Sequence, residues 1–194
     1  MERCLLQQNM DRFIGQPIGN EVFDTFSRLM FTKHFDKKML LAEAGKQCNY
    51  VYFVEKGACV SYAVNDKGDK NVIQFALEGN WISDLYSFFS GKPGIYTIEA
   101  LEPMEVLMLN RERFDEACNQ HLIERFFRKL MQNAYVDLKY RFVKSNSEEA
   151  SVCYEVFTKE NPQLVQRVPQ YLIASYLGIK PQSLSRIRKS PQLK

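Results

Sequence analysis

The last part of the chain carries side chains that could bind a nucleic acid. An amide, two hydroxyls and three cations follow Pro181 in one short stretch, namely Gln182, Ser183, Ser185, Arg186, Arg188 and Lys189. Gln can pair with adenine and Arg with guanine through two hydrogen bonds each, while Ser, Arg and Lys can reach phosphate oxygens. These residue types predict contacts to double-stranded DNA.

Charge is distributed unevenly along the chain. The sequence has 26 Lys and Arg residues against 23 Asp and Glu residues. No acidic residue follows Glu160, whereas six basic residues do, so the segment after Glu160 carries +6 and the part before it −3. A cationic segment of this kind suits a polyanion, although a solvated basic tail would have the same charge.

The segment 169–189 has the pattern of two short helices that cross tightly. Pro169 and Pro181 can occupy first-turn positions, so each marks the start of a helix. Gly178 supplies a left-handed residue that ends the first helix, and Ala174 is small where the helices cross. The apolar positions that would share a core are Ile173, Leu177, Ile179, Leu184 and Ile187. This pattern predicts a helix-turn-helix, with an ordinary helical hairpin as the alternative.

The body of the chain predicts a barrel of short strands. Residues 21–31 have helical spacing, and the periodicity changes at about Thr32. Short segments rich in Val, Ile, Tyr and Phe then alternate with turn formers, at 38–42, 49–55, 58–64, 71–77, 96–100 and 104–109. Strands of this length predict an antiparallel β-barrel or jelly roll, and the protein as a whole is predicted to be α+β.

Helical periodicity returns at residue 111. A short helix over 111–118 is followed by a long one over 122–143, and a third helix is predicted to be capped by Ser147 and to end near Lys159. One face of the long helix carries an apolar stripe, made of Ile123, Phe127, Leu130, Ala134 and Leu138. The stripe predicts a homodimer, although packing against the chain's own barrel would also explain it. We therefore expect a sensor domain at 1–118, a dimerisation helix at 119–145 and a DNA-binding domain at 146–194.

This order of barrel, long helix and terminal helix-turn-helix resembles the Crp–Fnr family of bacterial transcription regulators. The segment 52–57, Tyr-Phe-Val-Glu-Lys-Gly, looks like a strand-turn signature of the family. The segment 77–85 looks like the glycine turn that leads into its phosphate cassette. The resemblance implies a cytoplasmic, sequence-specific DNA-binding dimer that is not an enzyme.

The resemblance also assigns roles within the terminal helices. Gln182 and Arg186 match two base-reading positions of the family's recognition helix, and Gln170 lies where a phosphate contact is expected. Pro181 stands where a third base-reading Arg is common, so the target sequence should differ from that of the cAMP-responsive members. Since few residues follow Lys189, we expect no β-hairpin wing after this helix.

The cyclic-nucleotide signature of the family is incomplete in this chain. Members that bind cAMP carry a Glu for the ribose and an Arg for the phosphate, since a buried anion needs a cation or several amide donors. Here Ser83-Asp84-Leu85 replaces Gly-Glu-Leu, and 94–97 holds no basic residue. We expect an effector pocket formed by Ser83, Asp84, Leu85, Tyr96 and Thr97 that binds an unknown small molecule, or none, rather than cAMP or cGMP.

Residues that could hold a metal or cofactor are few. The five Cys residues are scattered without a C-x-x-C pair, which indicates free thiols, and only Cys4 lies near the N-terminus for an iron–sulfur cluster. Haem would need an axial ligand such as His34 or His121. We expect no cofactor, no metal and no membrane segment.

Two other functions stay open. One is a cupin-type metalloenzyme, for which His34 and His121 would be the only histidine ligands. The other is a ligand-binding barrel that acts through protein partners, with the terminal hairpin as its docking module.

Overall fold

A computed structural model of the chain describes residues 3–189. Two helices, α1 (Leu5–Ile14) and α2 (Asn20–Ser27), precede the strands. The strands are β1 (Phe31–Phe35), β2 (Leu40–Ala42), β3 (Tyr50–Lys56), β4 (Cys59–Val64), β5 (Lys70–Ala76), β6 (Trp81–Ile82), β7 (Thr97–Ala100) and β8 (Met104–Asn110). The other helices are α3 (Leu85–Ser90), α4 (Arg111–Ala117), α5 (His121–Ser147), α6 (Ala150–Glu160), α7 (Pro162–Arg167), α8 (Gln170–Tyr176) and α9 (Pro181–Lys189).

The strands form two four-stranded sheets, which confirms the predicted α+β jelly roll. One sheet has the order β1-β8-β3-β6 and the other the order β2-β7-β4-β5. The pairs β1–β8, β3–β8, β3–β6 and β2–β7 are antiparallel, with Met108 of β8 opposite both Phe31 and Tyr52. The inner faces of both sheets contribute to a single apolar cluster.

The barrel interior is filled by large side chains. Tyr52, Val54, Ile98, Val106 and Met108 belong to its buried cluster. Tyr52 is only 2% exposed, and its hydroxyl donates a hydrogen bond to the Leu41 carbonyl oxygen over 2.5 Å. Because a buried hydroxyl needs such a partner, the bond fixes this ring inside the barrel.

Contacts divide the chain into two units. The first comprises Met1–Ser61 and Phe75–Ala134, and the second comprises Tyr62–Gln74 and Tyr135–Lys194. The predicted division at residues 118 and 145 remains a prediction.

A second apolar cluster in the first unit joins the helices to the outer side of the barrel. The ring centroid of Trp81 lies 5.8 Å from that of Phe126 and 5.4 Å from that of Phe127. The ring centroids of Phe114 and Phe127 are 4.6 Å apart. Helix α1 adds Leu6, Met10 and Ile14 to this cluster. Aromatic rings packed edge to face or tilted at such distances stabilise the layer beyond their burial alone.

The first half of α5 packs inward, which corrects part of the predicted dimer stripe. Ile123 is fully buried and Phe127 is 3% exposed, and both belong to the helical cluster of their own unit. Leu130 packs against the same cluster. For Ile123 and Phe127 the alternative is therefore right, because a side chain buried in its own barrel layer cannot contact a second copy. Ala134 and Leu138 are exposed.

Two helix boundaries differ from the prediction. The predicted helix over 21–31 ends at Ser27, since Phe31–Phe35 pairs with β8 as a strand. Ser147 ends α5 instead of capping the next helix, which starts at Ala150 after Glu149. Helices α1, α3 and α7 and strands β1 and β6 were not predicted.

In the second unit, helices α6 to α9 share an apolar core. Its buried members are Tyr154, Phe157, Leu164, Val168, Leu172, Ile173, Ala174, Ile179 and Leu184. The Ser175 hydroxyl of α8 donates to the Lys70 carbonyl oxygen over 2.6 Å and accepts from the Val72 N–H over 3.0 Å. The β4–β5 hairpin is thus hydrogen-bonded to α8 within this unit. Across residues 3–189, no helix is long and apolar enough to cross a membrane.

The contact between α1 and the barrel gives a testable prediction. The buried Asn9 amide donates to the Gly79 carbonyl oxygen over 2.7 Å and accepts from the Trp81 indole N–H over 3.1 Å. Asn9→Ala should lower the free energy of unfolding by about 1–3 kcal/mol, because it leaves these groups without their partner. Denaturant titration followed by fluorescence of Trp81, the single Trp of the chain, measures this.

Gln8→Ala is the matched control, since Gln8 is exposed on the same helix. It should change the free energy of unfolding by less than about 0.5 kcal/mol. Equal losses in the two variants would contradict the role assigned to Asn9.

Candidate nucleic-acid interface and effector pocket

Helices α8 and α9 are joined by a turn whose hydrogen bonds end α8. Gly178 has φ +69°, as predicted for the residue that ends the first helix. Its N–H donates to the Ser175 carbonyl oxygen over 3.1 Å, and the Ile179 N–H donates to the Ala174 carbonyl oxygen over 2.8 Å. This pair of bonds is a Schellman motif, which satisfies carbonyls that the helix end leaves free. The turn is therefore fixed by the backbone as well as by packing.

Helices α8 and α9 contact each other. Ala174 and Ile173 are fully buried, and Leu184 of α9 is buried as well. Pro181 is the first residue of α9, whereas Pro169 lies just before α8 as its N-terminal cap. Small and apolar side chains thus hold α9 against α8.

One face of α9 is exposed and rich in cations. Pro181, Gln182, Ser185, Arg186, Arg188 and Lys189 are exposed, while Ser183 is half-buried and Ile187 is partly covered. The sequence has no Asp or Glu after Glu160, so no carboxylate of α7, α8 or α9 neutralises this face. Most of the residues of α9 that are predicted to contact DNA therefore point to solvent.

Gln170 is placed differently from the residues of α9. It is the first residue of α8 and is half-buried. Its amide donates to the Val165 carbonyl oxygen over 3.4 Å, and its side-chain oxygen accepts from the Tyr154 hydroxyl over 3.5 Å. Both contacts are long, so the side chain is held only loosely toward α6 and α7.

The predicted effector residues come together beside α3, around a buried carboxylate. Asp84 has no exposed surface. Its Oδ2 accepts hydrogen bonds from the N–H groups of Ile95 at 2.6 Å and Tyr96 at 2.8 Å, and its Oδ1 accepts from the Ser87 N–H at 3.1 Å. Three amide donors can hold a buried negative charge without a cation.

The other polar atoms of this cluster are also bonded within the fold. The Ser83 hydroxyl donates to the Tyr50 carbonyl oxygen over 2.9 Å, and the Thr97 hydroxyl accepts from the Ala44 N–H over 3.2 Å. Tyr96 is half-buried, and burial together with the charge of Asp84 raises the pKa of its hydroxyl. Leu85 is exposed beside it.

Gly94 packs directly against the Asp84 carboxylate. Its N–H donates to the Lys46 carbonyl oxygen, and its own carbonyl oxygen accepts from the Gly45 N–H, each over 2.8 Å. A Cβ at this position would lie 2.9 Å from Asp84 Oδ2 and 3.1 Å from the Lys46 carbonyl oxygen. A side chain here is therefore incompatible with the carboxylate in its present place.

Two of the thiols have a raised pKa, and both histidines are exposed. Burial raises the pKa of the Cys59 thiol to about 12, and burial with nearby carboxylates raises that of Cys118 to about 11. These thiols are protonated near neutral pH and therefore poor nucleophiles. His34 and His121 lie on β1 and at the start of α5, both exposed. Within the described part of the chain, no group of three or more His, Cys, Asp or Glu side chains is placed to hold a metal ion.

A cavity in the second unit was not predicted from the sequence. It has a volume of about 370 Å³ and is lined by residues of α5, α6 and α8, among them Tyr140, Arg141, Phe157 and Tyr176. The Arg141 guanidinium lies 4.4 Å from the Tyr176 ring centroid. Tyr176 packs on Phe157 with ring centroids 5.6 Å apart, so the cavity has an aromatic wall. Its residues are spread over three helices, and no local sequence pattern unites them.

The crossing of α8 and α9 yields a second prediction. Ala174→Leu should lower the free energy of unfolding by about 1–3 kcal/mol, because the added carbons have no space where the helices touch. Thermal unfolding measured by circular dichroism checks this. Tyr171→Leu, at an exposed position of the same helix, serves as the control and should stay within about 0.5 kcal/mol. A stable Ala174→Leu variant would show that the crossing tolerates a large residue.

Comparison with known proteins agrees with this architecture. The family model described as "Cyclic nucleotide-binding domain" matches residues 32–121. FixK2 from Bradyrhizobium japonicum is 18% identical, with a TM-score of 0.73 over 82% of this chain and 83% of that one. The c-di-GMP responsive global regulator CLP from Xanthomonas campestris is 12% identical, with a TM-score of 0.71 over 90% and 92%.

A third similar structure is a transcriptional regulator of the crp/fnr family from Eubacterium rectale. It is 14% identical, with a TM-score of 0.69 over 91% of this chain and 84% of that one. No curated protein sequence matches the chain. At such identities the likeness establishes the fold alone. Residues 32–121 match the cyclic nucleotide-binding domain family, and the chain as a whole has the fold of these regulator structures.

Proposed function

We propose that the protein is a DNA-binding transcription regulator that acts as a homodimer, with α8 and α9 as its helix-turn-helix. The observation that carries this proposal is the exposed, acid-free face of α9, held in place by the buried crossing at Ala174. A short helix that presents cations and amides to solvent from a fixed scaffold can enter a major groove. The regulatory relatives of the same fold support this function over catalysis.

Within α9 the proposed roles differ by position. Gln182 and Arg186 lie one helical turn apart on the exposed face, where both can reach base edges. Ser183, Ser185, Arg188 and Lys189 are assigned to phosphate and groove contacts, which position the helix without reading sequence. Pro181 offers no hydrogen-bond donor, so it reads bases only by shape. Gln170 would have to leave its two long hydrogen bonds to contact a phosphate.

The proposed dimer uses the second half of α5. Tyr135, Leu138 and Phe142 recur at spacings of three and four residues, which places them on one face of the helix. Tyr135 is 60% exposed and Leu138 is 49% exposed, so this face is available to the same face of a second copy. Pairing would present two α9 helices to successive major grooves about 34 Å apart on a pseudo-palindromic site.

The DNA-binding proposal is tested by a mobility shift on a pool of genomic fragments, followed by measurement on the selected site. Arg186→Ala should weaken binding to that site about 5- to 150-fold and reduce the preference for it over random DNA, because a bidentate contact to guanine is lost. Binding by the wild type should also fall steeply as salt rises.

Arg128→Ala is the matched control. It removes the same charge from an exposed position of α5 where Arg128 pairs with Glu124 at 3.5 Å. It should leave affinity and sequence preference unchanged. Binding that does not depend on salt, or an equal loss in both variants, would refute the proposed interface.

The dimer is tested by sedimentation equilibrium. Leu138→Glu should weaken self-association about 30- to 100-fold, because it removes the burial of a Leu side chain and places a charge in the interface. Asn133→Glu, exposed on the opposite face of α5, should leave the dimer intact. A wild-type chain that stays monomeric, or a Leu138→Glu variant that still dimerises, rules out this interface.

A further inference from the structure

The predicted effector pocket contains a negative charge of the protein itself, on Asp84. Both oxygens of the fully buried Asp84 carboxylate accept hydrogen bonds, and the donors are backbone N–H groups from two separate segments, at Ser87 and at Ile95 and Tyr96. Backbone amides that converge on one point are the usual means by which a protein binds a phosphate or carboxylate without a cation. In this chain the converging donors are used by a side chain of the protein itself.

The packing around Asp84 leaves no space for a second anion at this point. Gly94 approaches Oδ2 so closely that even one added carbon would lie 2.9 Å from it. The Ser87 hydroxyl, which also faces this region, donates to the Lys92 carbonyl oxygen and accepts from the Cys48 N–H. The donors nearest the carboxylate are thus committed, and the glycine lets the chain close over it.

The barrel interior supports the same conclusion. Tyr52 is buried with its hydroxyl bonded to Leu41, and Met104 and Met108 belong to the same buried cluster. A ligand whose anionic group reached the Ile95 and Tyr96 amides would have to displace Asp84, and its remaining part would have to displace packed side chains. Both steps cost free energy that a free site would not require.

We propose that the Asp84 carboxylate is a built-in substitute for an anionic effector, so the barrel takes its folded form without a bound phosphate or carboxylate ligand. Gly94 and Asp84 act as a pair, because the missing side chain of the first makes room for the carboxylate of the second. The consequence for regulation rests on the proposed function: DNA binding by this protein does not require a cyclic nucleotide.

The test is chemical rescue of a variant that lacks the carboxylate. Asp84→Ala should lower Tm by about 5–10 °C, because three N–H groups that surround the buried carboxylate lose their acceptor. Formate, which matches the missing group in size and charge, should restore at least about 3 °C at concentrations well above its Kd. The wild type should be stabilised by neither formate, inorganic phosphate nor cAMP beyond the effect of sodium chloride at equal ionic strength.

Two further variants make the result specific. Asp115→Ala removes an exposed aspartate that pairs with Arg111 and should neither lose comparable stability nor respond to formate. Asp84→Asn keeps the size of the side chain and one oxygen acceptor, so it should fold with a smaller loss and show no rescue, since the amide fills the space. If Asp84→Ala is recovered only when refolded in formate, that dependence also supports the proposal.

Three results would overturn it: an Asp84→Ala variant as stable as Asp115→Ala, a destabilised Asp84→Ala variant that formate does not rescue, or a wild type stabilised by cAMP or inorganic phosphate. None of these measurements involves DNA. These results would therefore be unaffected if the protein did not bind DNA. If the proposal on Asp84 failed, the proposed DNA interface at α9 would be unaffected.

Discussion

The aromatic layer between the first half of α5 and the outer side of the barrel is the contact on which the rest of the first unit depends. Trp81, Phe114, Phe126 and Phe127 pack ring against ring, and α1 and α2 close the layer from outside. This layer buries only the first turns of α5, and residues 132–140 of the helix are all exposed.

The two candidate sites handle charge in opposite ways. At Asp84 one negative charge is buried and surrounded by amide donors from neighbouring segments. On α9 several positive charges are exposed, and no carboxylate occurs on the surrounding helices α7 and α8. A buried charge that is fully bonded has no remaining capacity for a partner, whereas an exposed charge of one sign attracts a partner of the other. This contrast supports the two proposals made above, that α9 binds a polyanion and that the Asp84 region needs no small anion.

Much of the fold follows from the sequence, and the failures have physical causes. All the predicted strands overlap β2, β3, β4, β5, β7 and β8, because these strands are rich in apolar residues and contribute to a shared interior. Strand β1 lacks this composition, since only Phe35 of its five residues is buried, and its pairing with β8 rests on backbone bonds that composition does not reveal. Helix α1 was missed although Leu6, Met10 and Ile14 recur every four residues.

The sites were predictable to different degrees. The turn at Gly178 and the burial of Ala174 follow from residue type and spacing alone, because few residues meet those steric requirements. The sequence alone could not predict that Ile123 and Phe127 pack inward, because an apolar stripe on a helix does not identify the surface that covers it. The sequence also placed Asp84 in the predicted effector pocket. Which amide groups surround its carboxylate depends on how loops that are distant in the sequence pack together.

The two hydrogen bonds of Ser175 have a consequence for solubility. Strand β5 is the last strand of its sheet, and such an edge presents N–H and C=O groups that can pair with a strand of another molecule. The hydroxyl of Ser175 occupies one donor and one acceptor of that edge, at Val72 and Lys70. Helix α8 therefore covers this part of the β5 edge and reduces its capacity to pair with another molecule, so a helix of the proposed DNA-binding motif also protects the strand beside it.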